Sequence, residues 1–139
     1  MSVASIAVVD TWAALALLRR EGSADAAMRR CLKRADNRNM RLPMNLVNLG
    51  EVYYRMIQLA GIDKADEWLR VFRKLPIEMV PVREPLEMEA GRLKARHRIS
   101  FADAFAVATG RVEGGTVLTG DPEILTLSRD VVRAVRLER

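Results

Sequence analysis

Cysteine and histidine each occur once in the 139 residues, and that scarcity excludes several kinds of chemistry at the outset. A lone Cys31 cannot close an internal disulfide, which fits a reducing, cytoplasmic setting; inside a predicted helix it reads as a small buried apolar thiol. With one histidine and one cysteine, and no second soft ligand nearby, a zinc site is disfavoured, and no His–Ser or His–Cys arrangement suggests nucleophilic side-chain catalysis. His97, in the basic turn Arg96-His97-Arg98, reads as a solvent-exposed turn residue. Aromatic residues are 5% of the chain, too few for an extended base-stacking platform. No apolar run approaches the ~18 residues that a membrane-spanning helix needs. Asp10 interrupts the apolar stretch near the start, which no basic segment precedes, so a signal peptide is not expected either. Linkers, repeats and low-complexity tracts are also missing, and one domain over residues 1–139 is expected.

What is present is an ordinary globular composition, half hydrophobic and 29% charged, in a chain long enough to bury a core. Basic residues outnumber acidic ones by 23 to 18, giving a net charge of +5 and favouring a polyanionic partner. Strand-like and helix-like patterns alternate. Strands are expected at 5–9, 40–44, 77–82, 116–119 and 131–135. Helices are expected at 11–20, from a Ser23 cap to 35, at 45–60, and from an Asp63 cap to 75. Further helices run from Glu84-Pro85 to 96, from Ser100 to the Gly114-Gly115 pair, and briefly after Asp121-Pro122. This alternation predicts an α/β fold, a single domain with a parallel sheet of about five strands and helices on both faces.

Four acids close apolar stretches and open helices: Asp10 after Val8-Val9, Glu51 after Leu46-Val47-Asn48-Leu49-Gly50, Asp103 after Ser100-Phe101-Ala102, and Asp121 after Val117-Leu118-Thr119-Gly120. Each has a local explanation as a helix cap. Asn48 and Glu51, and Ser100 and Asp103, have capping-box spacing, and Asp121 precedes a proline suited to the first helical position. Caps, however, need no common location, whereas the ends of parallel strands converge in one crevice. Carboxylates gathered there repel one another by about 4 kcal/mol per pair at 4 Å and surface-like dielectric. A bound cation relieves that repulsion, and an all-oxygen donor set suits Mg2+ or Mn2+.

The strings VVDTWAALALL, NLGEVYYR, HRISFADAFAVATG and VLTGDPEI resemble the successive motifs of PIN domains, and the small size is most similar to the VapC-type toxins of toxin–antitoxin pairs. The resemblance runs from Val8 to about Leu125. It implies a metal-dependent ribonuclease (endoribonuclease) whose Asp10, Glu51, Asp103 and Asp121 are the catalytic and metal-binding acids, with Mg2+ or Mn2+ as cofactor. It implies a cytoplasmic protein with an RNA substrate, a cognate antitoxin as a separate chain, and a homodimer. Thr11, Asn48, Ser100 and Thr119 stand beside the acids as hydrogen-bond partners or local caps. Arg41, Arg96, Arg98 and Arg111 are candidates for contacts to RNA phosphates. Glu123 reads as a peripheral ligand or a surface acid. Where the family often has serine two places after the first aspartate, this chain has Trp12, which either leaves a hydroxyl missing or forms a wall of the cleft. The helix faces Leu15/Leu18 and Val71/Leu75 are candidate docking surfaces or core.

Three other readings are weighed. A non-catalytic PIN-like binding module would be marked by loss of one or more acids, and all four are present. A phosphoryl-accepting receiver domain needs adjacent acids after the first strand and a late lysine, yet Thr11-Trp12 follow Asp10 and residues 110–139 contain no lysine. A metal-dependent nuclease acting on DNA is chemically equivalent at this level.

Overall fold

The structure, a computed structural model, describes residues 5–20 and 22–138. Its centre is β1 (Ser5–Val9), flanked by the parallel strands β2 (Met40–Arg41) and β5 (Thr116–Thr119), with β6 (Ala134–Arg136) beside β5. The sheet order is therefore β2-β1-β5-β6. Alternation along the strands divides the apolar side chains between two cores. Ala7, Val9 and Leu118 pack with α1 (Thr11–Arg19), α2 (Gly22–Asp36) and α3 (Leu46–Ala60). Val8 and Val117 pack with α5 (Leu86–Arg96) and α6 (Phe101–Glu113). Helices thus cover both faces of a parallel sheet in a single α/β domain, as the sequence predicts. The alanine-rich α6 lies close to the sheet: a Cβ on Gly110 would come within 2.9 Å of the Val117 side chain.

The single strand expected at 40–44 is broken at Leu42. Its first part pairs with β1; its second, β3 (Pro43–Asn45), leaves that sheet and pairs in parallel with β4 (Glu78–Val80). Pro43 has no N–H to donate. The result is a four-stranded and a two-stranded sheet rather than five continuous strands. β4 is shorter than expected because Pro81 ends it. The last strand begins at Ala134, residues 131 and 132 being drawn into a turn by bonds to the Ser128 carbonyl.

Helix starts also differ. Ser23 lies inside α2 instead of capping it, and its hydroxyl donates to the Glu138 carbonyl (2.6 Å). The helix α4 (Ile62–Phe72) follows Gly61 directly, so Asp63 is a first-turn acid and not the cap. Pro85 precedes α5 rather than starting it. Leu15 is buried in the core and so is no docking surface, whereas Val71 is exposed. Among the described residues no helix is long and apolar enough to cross a membrane.

Candidate active site

Asp10 immediately follows β1, and Thr119 ends β5 beside it, because Val9 and Leu118 are in register. This is the carboxyl end of the sheet at the point where connections from β1 and β5 diverge, the usual place for a crevice in such folds. Asp121 follows Thr119 and caps α7 (Pro122–Leu125); Asp103 lies in the first turn of α6; Glu51 projects from the second turn of α3. Glu51, Asp103 and Asp121 line one cleft of about 210 Å³ together with Thr11, Trp12, Arg55, Ser100 and Glu123. Asp10 is beneath it, 2% exposed, and feels the charges of Asp121 and Glu51.

Capping and cleft placement coexist because a carboxylate has two oxygens. Asp10 Oδ1 accepts from the Ala13 amide (2.7 Å), and Asp121 Oδ1 accepts from the Glu123 amide (2.9 Å). Each sits at a positive helix end that favours negative charge. At α6 the Ser100 hydroxyl accepts from the Asp103 amide (3.0 Å). The Ser100 amide donates to Glu123 Oε2 (3.0 Å) and not to Asp103, which leaves the Asp103 carboxyl turned to the cleft. The capping box expected at Asn48–Glu51 is absent. Asn45 is the cap, its Oδ1 accepting from the Asn48 amide at 2.8 Å, so Glu51 has no capping role.

Burial and crowding show in the proton affinities. Asp10 is pushed up to about 7, first by burial, then by the Asp121 and Glu51 charges, against the opposing bonds from Thr119 and the Ala13 amide. Asp103 is pushed up to about 8 by burial and by sharing its proton with Glu123 and Asp121. Glu123 moves the other way, because it accepts from Asp103 and from the Ser100 amide. Asp103, Asp121 and Glu123 each offer an oxygen within 4.8 Å of the others. An all-oxygen cluster of three carboxyls, of which Asp103 resists ionisation, with the likewise raised Asp10 beneath it, is chemically suited to a hard divalent cation.

Behind the cleft lies a buried polar relay that links its elements. The Asn45 amide group donates to Asn48 Oδ1 (2.7 Å) and to the Thr109 hydroxyl (2.9 Å). Asn48 in turn donates to the Ala102 carbonyl (2.9 Å), and the Thr11 hydroxyl to the Asn48 carbonyl (3.4 Å). The Thr119 hydroxyl accepts from the Asp121 amide (2.9 Å) while bonding Asp10. These bonds tie α1, α3, α6 and β5 together around the carboxylates.

The sequence pattern of the PIN domain matches residues 7–129. The chain belongs to the PIN domain family. Solved structures with the same fold include VapBC2 from Rickettsia felis bound to a promoter DNA fragment, at 14% identity and TM-score 0.76, covering 96% of this chain and 99% of that one. DNA-bound VapBC from Salmonella typhimurium matches at 12% identity and TM-score 0.76, covering 95% and 98%. VapC20 of Mycobacterium tuberculosis, described as a sarcin–ricin loop cleaving toxin, matches at 20% identity and TM-score 0.68, covering 86% and 92%. No curated protein matches the sequence.

In this PIN domain the four arginines considered for RNA fall in different places. Arg41 lies beside Ile6, toward the amino end of β1 and away from the acids, paired with Glu78 (2.8 Å) and Glu113 (3.6 Å). Arg111, near the far end of α6, pairs with Glu89 (2.7 Å) and donates to the Asp130 and Val131 carbonyls. Arg96 and Arg98 are exposed in the segment leading to Ser100. His97 is half-buried and lines a separate hollow with Arg92 and Arg111. Trp12 does form part of the cleft wall, and Glu123 joins the acids directly. Arg55, Asn45 and Thr109 were not singled out from sequence. Arg55 had a signal, standing one helical turn after Glu51; Asn45 is a capping residue in front of an apolar helix; Thr109 had none.

Proposed function

We propose that this PIN domain is an Mg2+- or Mn2+-dependent endoribonuclease, acting as the toxin of a toxin–antitoxin system and hydrolysing RNA phosphodiester bonds in the acidic cleft. The observation that carries the reading is the meeting of Asp10, Glu51, Asp103 and Asp121 at the carboxyl ends of β1 and β5, with Asp10 and Asp103 held above the ordinary carboxylate range. When bound, a divalent ion supplies an acidified water and charge neutralisation at the scissile phosphate. Asp103 and Asp121 hold the ion with Asp10 below them, and Glu123 adds a further oxygen at the rim. Glu51, free of any capping bond, joins them or takes a proton from the attacking water. Thr119 orients Asp10, Ser100 fixes the first turn of α6, and Thr11 and Asn48 lock α3 against its neighbours, so the carboxylates are preorganised. Arg98, exposed two residues before Ser100, contacts an RNA phosphate, and Arg96, which lines the separate hollow with His97 and Arg111, meets only RNA that extends away from the cleft; Arg41 and Arg111, committed to carboxylates, contribute less.

An inhibitory partner in this reading is a separate antitoxin chain, supported by the solved VapBC complexes of the same fold. Exposed Tyr54, Leu59 and Ile62 on α3 and α4 offer apolar surface for that partner or for a homodimer. A cytoplasmic location follows from an RNA substrate and a single reduced thiol. The test is incubation of the purified chain with labelled single-stranded RNA and DNA of the same sequence, with Mn2+ or with chelator. RNA cleavage that the chelator stops is expected; cleavage of DNA alone, or cleavage indifferent to chelation, would refute the proposal.

A further inference from the structure

Among the described residues Arg55 is the one basic side chain lining the acidic cleft. It follows Glu51 by four residues on α3, one helical turn, so the two leave the same face. Even so, among the described residues Arg55 makes no ion pair with Glu51 or any other carboxylate. Arg29, Arg41, Arg92 and Arg111 are paired on the surface, while other described surface arginines such as Arg96 and Arg98 are not, so what sets Arg55 apart is its place in the cleft. A guanidinium at the wall of a carboxylate cleft, with its donors uncommitted, is placed to receive an anion that enters the cleft. Its planar fork matches phosphate geometry.

The same lining includes Trp12. Its benzo ring lies over the backbone of Gly120, where a Cβ would come 2.3–2.5 Å from three ring atoms. The ring can occupy this position only because residue 120 has no side chain. The bare backbone next to Asp121 thus holds a large aromatic surface beside the acids and Arg55. Tryptophan provides sequence-tolerant contact with a nucleobase.

We infer that Arg55 and Trp12 form a nucleotide-positioning subsite of the cleft, Arg55 binding a phosphate adjacent to the scissile one and Trp12 packing against a neighbouring base. This rests on the ribonuclease reading above and names the part of the cleft that holds single-stranded RNA. Both are positioning residues; neither touches the reacting bond.

The test measures binding of a short labelled single-stranded RNA, at saturating Mn2+, to the Asp10→Asn protein, in which cleavage is expected to be silent. Arg55→Ala should weaken binding about tenfold and reduce the slope of log affinity against log salt by about 0.7, the share of one phosphate contact. Arg55→Lys should restore most of that slope. Trp12→Ala should also weaken binding about tenfold but leave the salt slope unchanged, because base contact releases no counterions; Trp12→Phe should lose less. In a Trp68→Phe background, added RNA should quench the remaining Trp12 emission. RNA binding by Asp10→Asn that Arg55→Ala leaves unchanged in affinity and salt slope overturns the subsite alone. No RNA binding by Asp10→Asn at low salt overturns the ribonuclease reading as well.

Discussion

At the residue scale Asp10 concentrates the conflict between folding and function. It is nearly inaccessible, hydrogen-bonded to an amide and a hydroxyl, and faces two other carboxylates, so its ionised form is disfavoured in the metal-free protein. The sign of the consequence is fixed. A carboxyl whose affinity for its proton is higher in the folded state favours folding at low pH, and that contribution disappears as pH rises through the folded value. With Asp10 at about 7 and Asp103 at about 8, the metal-free protein should lose thermal stability between about pH 5 and 8. Scanning calorimetry in chelator checks this, and a melting temperature that rises over that interval would contradict it. Saturating Mn2+ should reverse the trend, since binding requires ionised ligands and releases protons. Asp10→Asn removes the buried charge, so it should melt higher than the parent in chelator at pH 8 and gain less from Mn2+.

The element scale shows which local signals were legible. The helices and the sheet's parallel sense follow from alternation and turn residues, but only Asp10 and Asp121 lie at strand-to-helix junctions; Asp103 follows a helix-to-helix connection and Glu51 lies a turn inside α3. Proline effects on strand pairing were harder to read: Pro43 and Pro81 shorten or divert strands only because of which neighbour lies beside them. The entry to α3 was misread for a similar reason. Asn45 and Asn48 are both capping residues, and only the fold, by burying Asn45 against Thr109 and Asn48 against Ala102, decides between them. Asn45→Ala removes the cap and orphans the buried Asn48 Oδ1, while Thr109 keeps its bond to the Phe105 carbonyl, so it should cost about 2–3 kcal/mol in urea unfolding. Asn45→Asp, which keeps the accepting oxygen but not the donors, should fall between. A loss below about 0.5 kcal/mol for Asn45→Ala would mean that the relay does not hold the cleft together. Gly120→Ala should act differently, dislodging Trp12 from its seat and lowering RNA affinity more than it lowers stability; parallel binding and unfolding curves separate the two.

For the whole molecule, charge is distributed in opposition. The chain carries net +5, yet its cleft gathers Glu51, Asp103, Asp121 and Glu123 over Asp10, with Arg55 as the lone cation lining it among the described residues. A polyanion is attracted by the surface at large and repelled by the cleft until a cation neutralises it, which couples RNA binding to metal. Asp10 and Asp121 are visible in the sequence because strand ends in a parallel sheet converge, whereas Glu51 and Asp103, inside helices, are marked by the family motifs. It could not show that Glu123 folds back onto Ser100, that Asp10 lies deepest, or that Arg41 and Arg111 are spent on Glu78 and Glu89, since those are tertiary contacts between distant segments. The most direct test is single-turnover cleavage of labelled RNA at saturating Mn2+ by the parent and by Asp10→Asn, each first shown to be folded. The expected result is a loss of about a thousandfold or more, the effect of about 4 kcal/mol of transition-state stabilisation. Full Mn2+-dependent cleavage by Asp10→Asn would contradict the carboxylate cleft as the site of reaction.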